Sequence, residues 1–413
     1  MALPLFAAAL AAAALSTATP AAQEPQTAGS EDRWRIQWRN GTHLESPDGE
    51  VAITIGGRIQ FDVLPYADGG GSLAGLETGS ELRRARLHVQ GRHYDRFLWK
   101  VELDFASADE PLRDVYLGLD GLGPAGTFVV GHFKEPFGLD DQTSNRNITF
   151  PERSTPLLAF GFERNFGAML FGRAAGDRVT WKAGVFQDTR DDGEILDGGQ
   201  LNFTARVTGL PIRAREGARL LHLGAAASLR DPPNGAVAFR ARPELHLLED
   251  LAGTGTLPAQ DQRTLGLELA LVHGPLHVQA EAFDVEVSSR ELGDPSFGGH
   301  YVQVGYFLTG EHRPYSTSGL SGGAFDRLRP KRPIGREWAS GAWEVAVRYS
   351  RTDLASSGVA GGVAETWSAT LNWYLTSWAR TMLTFVDGER DAVAGSLGEA
   401  SGRGLGLRFM VDF

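Results

Sequence analysis

The chain has no cysteine among its 413 residues. No disulfide staples it, which suits a protein that crosses an oxidising compartment without needing one. Net positive charge is also missing. The formal charge is −11, which argues against a nucleic-acid binder. Beyond the first residues, no stretch approaches the ~20 apolar residues of a membrane helix. No long amphipathic helix and no blade-length repeat appear. Enzyme signals are absent too: no metal-ligand cluster, no phosphate-cradling glycine loop, and no nucleophile spaced from a base. The reading is therefore a non-enzyme without a cofactor.

What the chain does have begins with MALPLFAAALAAAALSTATPAAQ. An apolar run followed by small residues is the pattern of a secretory signal peptide. No Lys or Arg precedes the run. As a buried helix it would have no polar face. Residues 1–22 are read as the leader, with candidate cleavage after Ala18 or Ala21. Residues 23–50 form an N-terminal periplasmic segment or hairpin, and RWRIQWRN with GEVAITIGG could make a small hairpin under the barrel. Residues 51–413 form the main body.

That body alternates with a period of two. Phe97, Trp99, Val101, Leu103 and Phe105 alternate with Leu98, Lys100, Glu102 and Asp104. Leu201, Phe203 and Val207 alternate with Asn202, Thr204 and Arg206. Leu265, Leu267, Leu269 and Leu271 face away from Thr264 and Glu268. Arg84, Arg86, His88, Gln90 and Arg92 share one face of a strand whose other face is Ala85, Leu87, Val89 and Gly91. Segments of about ten residues with turns between them are the pattern of a transmembrane β-barrel, apolar toward lipid and polar toward the lumen. Backbone groups in hydrocarbon must be paired, so the sheet has to close. Trp99, Phe105, Trp343, Tyr349 and Trp373 fit aromatic girdles. A soluble sandwich would alternate as well, but its apolar face would be buried.

Strand candidates begin near Val51, Leu82, Phe97, Leu112, Gly126, Gly167, Val179, Leu201, Leu220, Val237, Arg263, Leu276, His300, Gly341, Ala364, Ala379 and Gly402. They number seventeen, while bacterial single-chain barrels have an even count with short periplasmic turns. Counts from the two ends collide between Leu220 and Arg263. They agree if Asp231–Gln262, which carries Arg240 and Arg242, is one long outer loop. The expectation is an all-β, sixteen-stranded antiparallel barrel. Gly138–Asn165 forms another long connection, with Arg146, Arg153 and Arg164. The run from Thr309 to Ser340 is long on the side of the short turns and contains Arg327, Arg329, Lys331, Arg332 and Arg336. The Asp231–Gln262 loop can fold into the lumen, and the Thr309–Ser340 run is expected to fold toward the pore as well.

The residues from about Ile55 to Phe413 resemble the phosphate-selective porin O/P family of Gram-negative outer membranes. GGRIQ at Gly56, RRA at Arg83, GHFKEPFGL at Gly131 and FPERS at Phe150 carry the resemblance. RARPEL at Arg240, YFLTGEHRPY at Tyr306, GAWEV at Gly341 and LNWY at Leu371 continue it. The resemblance implies a sixteen-stranded outer-membrane barrel, a homotrimer, whose pore is constricted by inward-folded loops and lined by an arginine ladder. Arg58, Arg83 and Arg84 match ladder positions in the first two strands. Arg240 and Arg242 match the first arginines of the folded loop. Arg146 stands where the family has a central lysine. The pattern departs at Glu244 and near Leu248, where further ladder residues would fall.

Rings of Arg select anions, provided each site also releases them. Arg offers a charged planar fork suited to phosphate oxygens. Charges in a wide lumen are screened within about 8 Å, so inward connections are needed to bring Arg to the ion. Arg84, Arg86, Arg206 and Arg348 could instead form wall ion pairs with Glu102, Asp104 and Glu344. Arg83 lies on the apolar phase and could meet lipopolysaccharide phosphate. The expected function is a passive outer-membrane channel for small anions, with phosphate or other oxyanions as candidate solutes. Its other partners are outer-membrane lipid and lipopolysaccharide. The alternatives are a weakly selective general porin and, in a different class, a secreted soluble β binding protein.

Overall fold

The computed structural model describes residues 33–38, 41–71, 73, 76–107, 111–189, 200–335, 340–391 and 398–413. The leader expected at residues 1–22, most of the acidic run after Asp188, and Arg336 lie outside them.

Sixteen wall strands run antiparallel. The first eight are β1 (Val51–Gly71), β2 (Gly79–His93), β3 (Phe97–Asp104), β4 (Leu112–Leu119), β5 (Thr127–Lys134), β6 (Arg164–Ala174), β7 (Val179–Gln187) and β8 (Asn202–Ala214). The others are β9 (Arg219–Arg230), β10 (Asp261–His273), β11 (Leu276–Ser288), β12 (Ser296–Phe307), β13 (Ala342–Ser356), β14 (Val359–Tyr374), β15 (Ala379–Asp391) and β16 (Ala400–Asp412). Each pairs with its neighbours, and β16 pairs back onto β1, with Phe409 opposite Phe61 and Asp412 opposite Arg58. The sheet therefore has no free edge around the wall, as hydrocarbon requires. A small hairpin, Arg35–Trp38 with Thr42–Glu45, adds to the start of β1, Thr42 facing Ile55, so RIQW pairs with THLE and not with GEVAITIGG as expected.

The two faces of the wall are inverted relative to a soluble protein. Glu344 and Arg348 are 1% and 0% exposed, while Val345 and Val347 between them are 38% and 48% exposed. Leu267 is 64% exposed and its neighbour Glu268 is buried. Apolar side chains point out and charged ones point in, which excludes the soluble sandwich. Trp343 and Trp373 are cross-strand partners on the outer face, stacked with centroids 5.0 Å apart. Their place beside a short turn is where interfacial aromatics belong.

Three connections make contact with inward-facing side chains. The first joins β5 to β6 and carries two short helices, α1 (Leu139–Gln142) and α2 (Thr155–Phe160). Arg380 donates to the carbonyls of Ile148 and Thr149 at 2.7 and 2.8 Å, and Arg348 to that of Glu152 at 3.1 Å. Arg164 and Asn165 belong to β6 rather than to this connection, a correction of two residues. The second connection, between β9 and β10, contains a hairpin of Ala236–Ala241 and Ala252–Pro258. Val237 thus lies in a strand, but one that among the described residues pairs with this hairpin partner and not with the wall. The wall resumes at Asp261, so Asp261 and Gln262 are strand and not loop. The third connection, between β12 and β13, sends Gly323 O to Arg206 at 2.8 Å and Leu320 O to Lys182 at 2.6 Å. Apolar side chains are buried where connections meet the wall, as where Leu245 and Leu248 pack on Leu64 and Val386.

Candidate functional site

Alternation along β1 turns Arg58, Gln60 and Asp62 inward, and along β2 it does the same for Arg84, Arg86 and His88. Facing them, β3 offers Lys100, Glu102 and Asp104. Arg86 Nε donates to Asp104 at 2.7 Å. Lys100 Nζ lies 2.6 Å from both Glu102 and Asp114. Arg58 is more loosely held, with Glu102 at 3.8 Å. These are wall ion pairs of the kind anticipated, and Arg206 forms another with two 2.7 Å bonds to Glu268. Arg348 pairs with Glu244 at 3.2 Å.

Arg83 does not follow the apolar phase. The register shifts between the pairs Gln60–Arg84 and Phe61–Leu82, leaving Arg83 in a bulge. Its side chain turns to Glu152 of the first connection, donating Nε to Oε1 at 2.9 Å and Nη2 to Oε2 at 3.2 Å. Arg84 Nη2 stands 3.5 Å from the same carboxylate. A one-residue slip thus lets two consecutive arginines reach one anion.

Arg146 comes from the first connection. Its Nε is buried without a hydrogen-bond partner, and no ion pair holds it among the described residues. Its charge bears on Arg58 and on Arg327 of the third connection. Burial would raise the nearby Asp141 carboxyl, but Lys134 and Arg153 outweigh it and hold it low. Glu152 is a stronger case: burial opposes its charge, yet Arg83, Arg84 and Arg408 keep the carboxyl well below its usual range.

Arg58, Arg83, Arg84, Arg146 and Arg327 line one cavity of ≈ 1380 Å³. It reaches Ala106, Ser107 and Leu158, on connections at the long-loop end. A second cavity, of ≈ 1030 Å³, reaches Asp120, Gly121 and Asp177 at the short-turn end. Lys100, Asp114, Ser318, Leu320 and Ser321 border both cavities.

Arg240 and Arg242 are elsewhere. Their side chains are 75% and 36% exposed, and both approach Asp250, at 4.0 and 3.2 Å. Neither lines the two cavities. Glu244, the departure in this loop, is buried between Ser350 and Ser368, which donate to it at 2.6 and 2.7 Å. Glu152 lies within FPERS, and nothing local in the sequence reveals its three distant partners, Arg83, Arg84 and Arg408.

The family description "Phosphate-selective porin O and P" matches residues 53–413. An uncharacterised protein of Caulobacter vibrioides is 32% identical over 376 residues, which is 88% of this chain and 72% of that one. Porin O of Pseudomonas aeruginosa is 26% identical over 417 residues, covering 92% of each chain. The solved anion-selective porin of Comamonas acidovorans has the same fold, with a TM-score of 0.53 at 12% identity, over 88% of this chain and 100% of its own. With the closed wall and its inverted faces, the match across nearly the whole body settles the class: the chain belongs to the phosphate-selective porin O and P family and is a porin of the Gram-negative outer membrane.

Proposed function

We propose that this porin passes small anions, phosphate or similar oxyanions among them, along the β1–β5 side of the barrel. One observation carries the reading. Arginines from four wall strands and two connections face the larger cavity, and among the described residues no carboxylate stands within ion-pair distance of Arg146. The connections narrow the water-filled space, so that guanidinium groups stand within a screening length of a passing ion. Arg58, Arg83, Arg84 and Arg146 form the path, and Lys100 marks the passage to the second cavity. Arg240 and Arg242 act at the outer approach, where they draw anions from solvent. A homotrimer is part of this reading, as the family resemblance implies, and lipid with lipopolysaccharide surrounds it.

Planar-bilayer recording in a salt gradient tests the reading. A reversal potential on the anion side supports it, and one on the cation side removes it. A weakly selective general porin is separated by a second measurement. Phosphate at low concentration should block chloride current in a selective channel and not in a general one.

A further inference from the structure

The Glu152 carboxylate lies against three guanidinium groups. Besides Arg83 and Arg84, Arg408 of β16 donates Nη2 to Oε1 at 2.6 Å. Arg83, Arg84 and Glu152 all line the larger cavity. Among the described residues no other carboxylate is within ion-pair distance of Arg83 or Arg84. Arg408 does not need Glu152, because Asp62 already meets it with two 2.6 Å bonds. Nor does the connection depend on that side chain alone. Arg348, Arg380 and Asn372 hold its backbone, and Arg153 Nε stands 3.1 Å from Asp141.

We propose that Glu152 is a tethered counter-anion, which fills the Arg83–Arg84 site at rest and competes with the permeating ion for it. This rests on the anion reading above and refines it. A carboxylate presents the same charged oxygens to a guanidinium fork as a phosphate does. Being attached, it is present at an effective concentration of about millimolar or higher, which a free ion must match to displace it. An unopposed pair of arginines would bind tightly and release slowly, whereas conduction needs both binding and release. Glu152 therefore sets weak, fast selection. In charge terms, Arg83, Arg84 and Arg408 face Glu152 and Asp62, one positive charge in excess; without Glu152 the excess is two.

The experiment is bilayer recording of wild type and Glu152→Gln in a potassium chloride gradient, with inorganic phosphate titrated against the chloride current. In the variant the chloride-to-potassium permeability ratio should rise about twofold or more, the effect of one charge near a water-filled path. The phosphate concentration giving half-block should fall. An unchanged or lower ratio in a variant that keeps its heat-modifiable barrel form overturns the proposal. The absence of cysteine allows a second variant, Glu152→Cys, carrying the only thiol. A negatively charged methanethiosulfonate added to that open channel restores a tethered anion, and the ratio should drop back. A ratio that does not move on modification also overturns the proposal. Wild-type cation preference would sink the anion reading itself, while the shift between variants tests Glu152 whichever ion dominates.

Discussion

Arg408 and Asp62 stand directly opposite each other across the seam between the last strand and the first. The guanidinium donates Nε and Nη2 to the two carboxylate oxygens, both at 2.6 Å. The backbone of Pro151 and the carboxylate of Glu152 meet the same guanidinium. One buried arginine thus ties barrel closure to the first inward contact. Removing it leaves Asp62 with an uncompensated buried charge. Arg408→Ala should cost about 3–5 kcal/mol, read as a lower unfolding midpoint in urea with lipid vesicles present. A loss under ~1 kcal/mol would show that water reaches and solvates the seam.

The outer face yields the opposite kind of prediction. Leu267 lies midway along β10 and is among the most exposed apolar residues of the wall. In a soluble protein an arginine there would be nearly neutral. Facing hydrocarbon at mid-depth, Leu267→Arg should destabilise the folded barrel by about 2–4 kcal/mol. Equal stability of variant and wild type in vesicles would place this face in water.

Much of this was legible from alternation. Strands begin at Val51, Phe97, Leu112, Val179, Leu276 and Ala379, where the pattern places them, because a half-buried strand writes its two faces into successive residues. Even parity removed the strand at Val237 from the wall, and its only partner is indeed the hairpin at Ala252–Pro258. The bulge at Arg83 was not legible. It puts Leu82 on the outer face and Arg84 on the inner one, reversing the alternation at a point no turn residue marks. The partners of Glu152 and Glu244 were hidden for a related reason. They lie on strands remote in sequence, and only closure of the barrel and the path of the connections bring them together. Arg240 and Arg242 were expected from the motif RARPEL to line the pore, yet their loop presents them to solvent, since motif position alone carries no depth.

That difference in depth separates two sets of arginines by experiment. Arg146 lines the larger cavity with a buried, unpartnered Nε. Arg146→Ala should lower the anion-to-cation permeability ratio by on the order of threefold. The double variant Arg240→Ala, Arg242→Ala should change it less. Its effect should also disappear as salt rises from 0.1 M to about 1 M, where the screening length falls to about 3 Å. Bilayer reversal potentials at two ionic strengths check both. A larger effect from the double variant would move the selective step to the outer loop.

The Glu152 carboxyl supplies a pH test whose sign is determined. Burial would raise it, but Arg83, Arg84 and Arg408 hold it well below its ordinary 4.5. A group depressed on folding stabilises the folded state fully above its ordinary value, and that stabilisation is lost as pH falls through the depressed one. The difference in thermal midpoint between wild type and Glu152→Gln isolates this carboxylate. It should stay constant from about pH 8 to about pH 5 and shrink only in more acidic solution. A difference that already declines between about pH 7 and 5 would mean that the carboxyl takes up a proton there. Glu152 could not then be the permanent anion that Arg83 and Arg84 enclose.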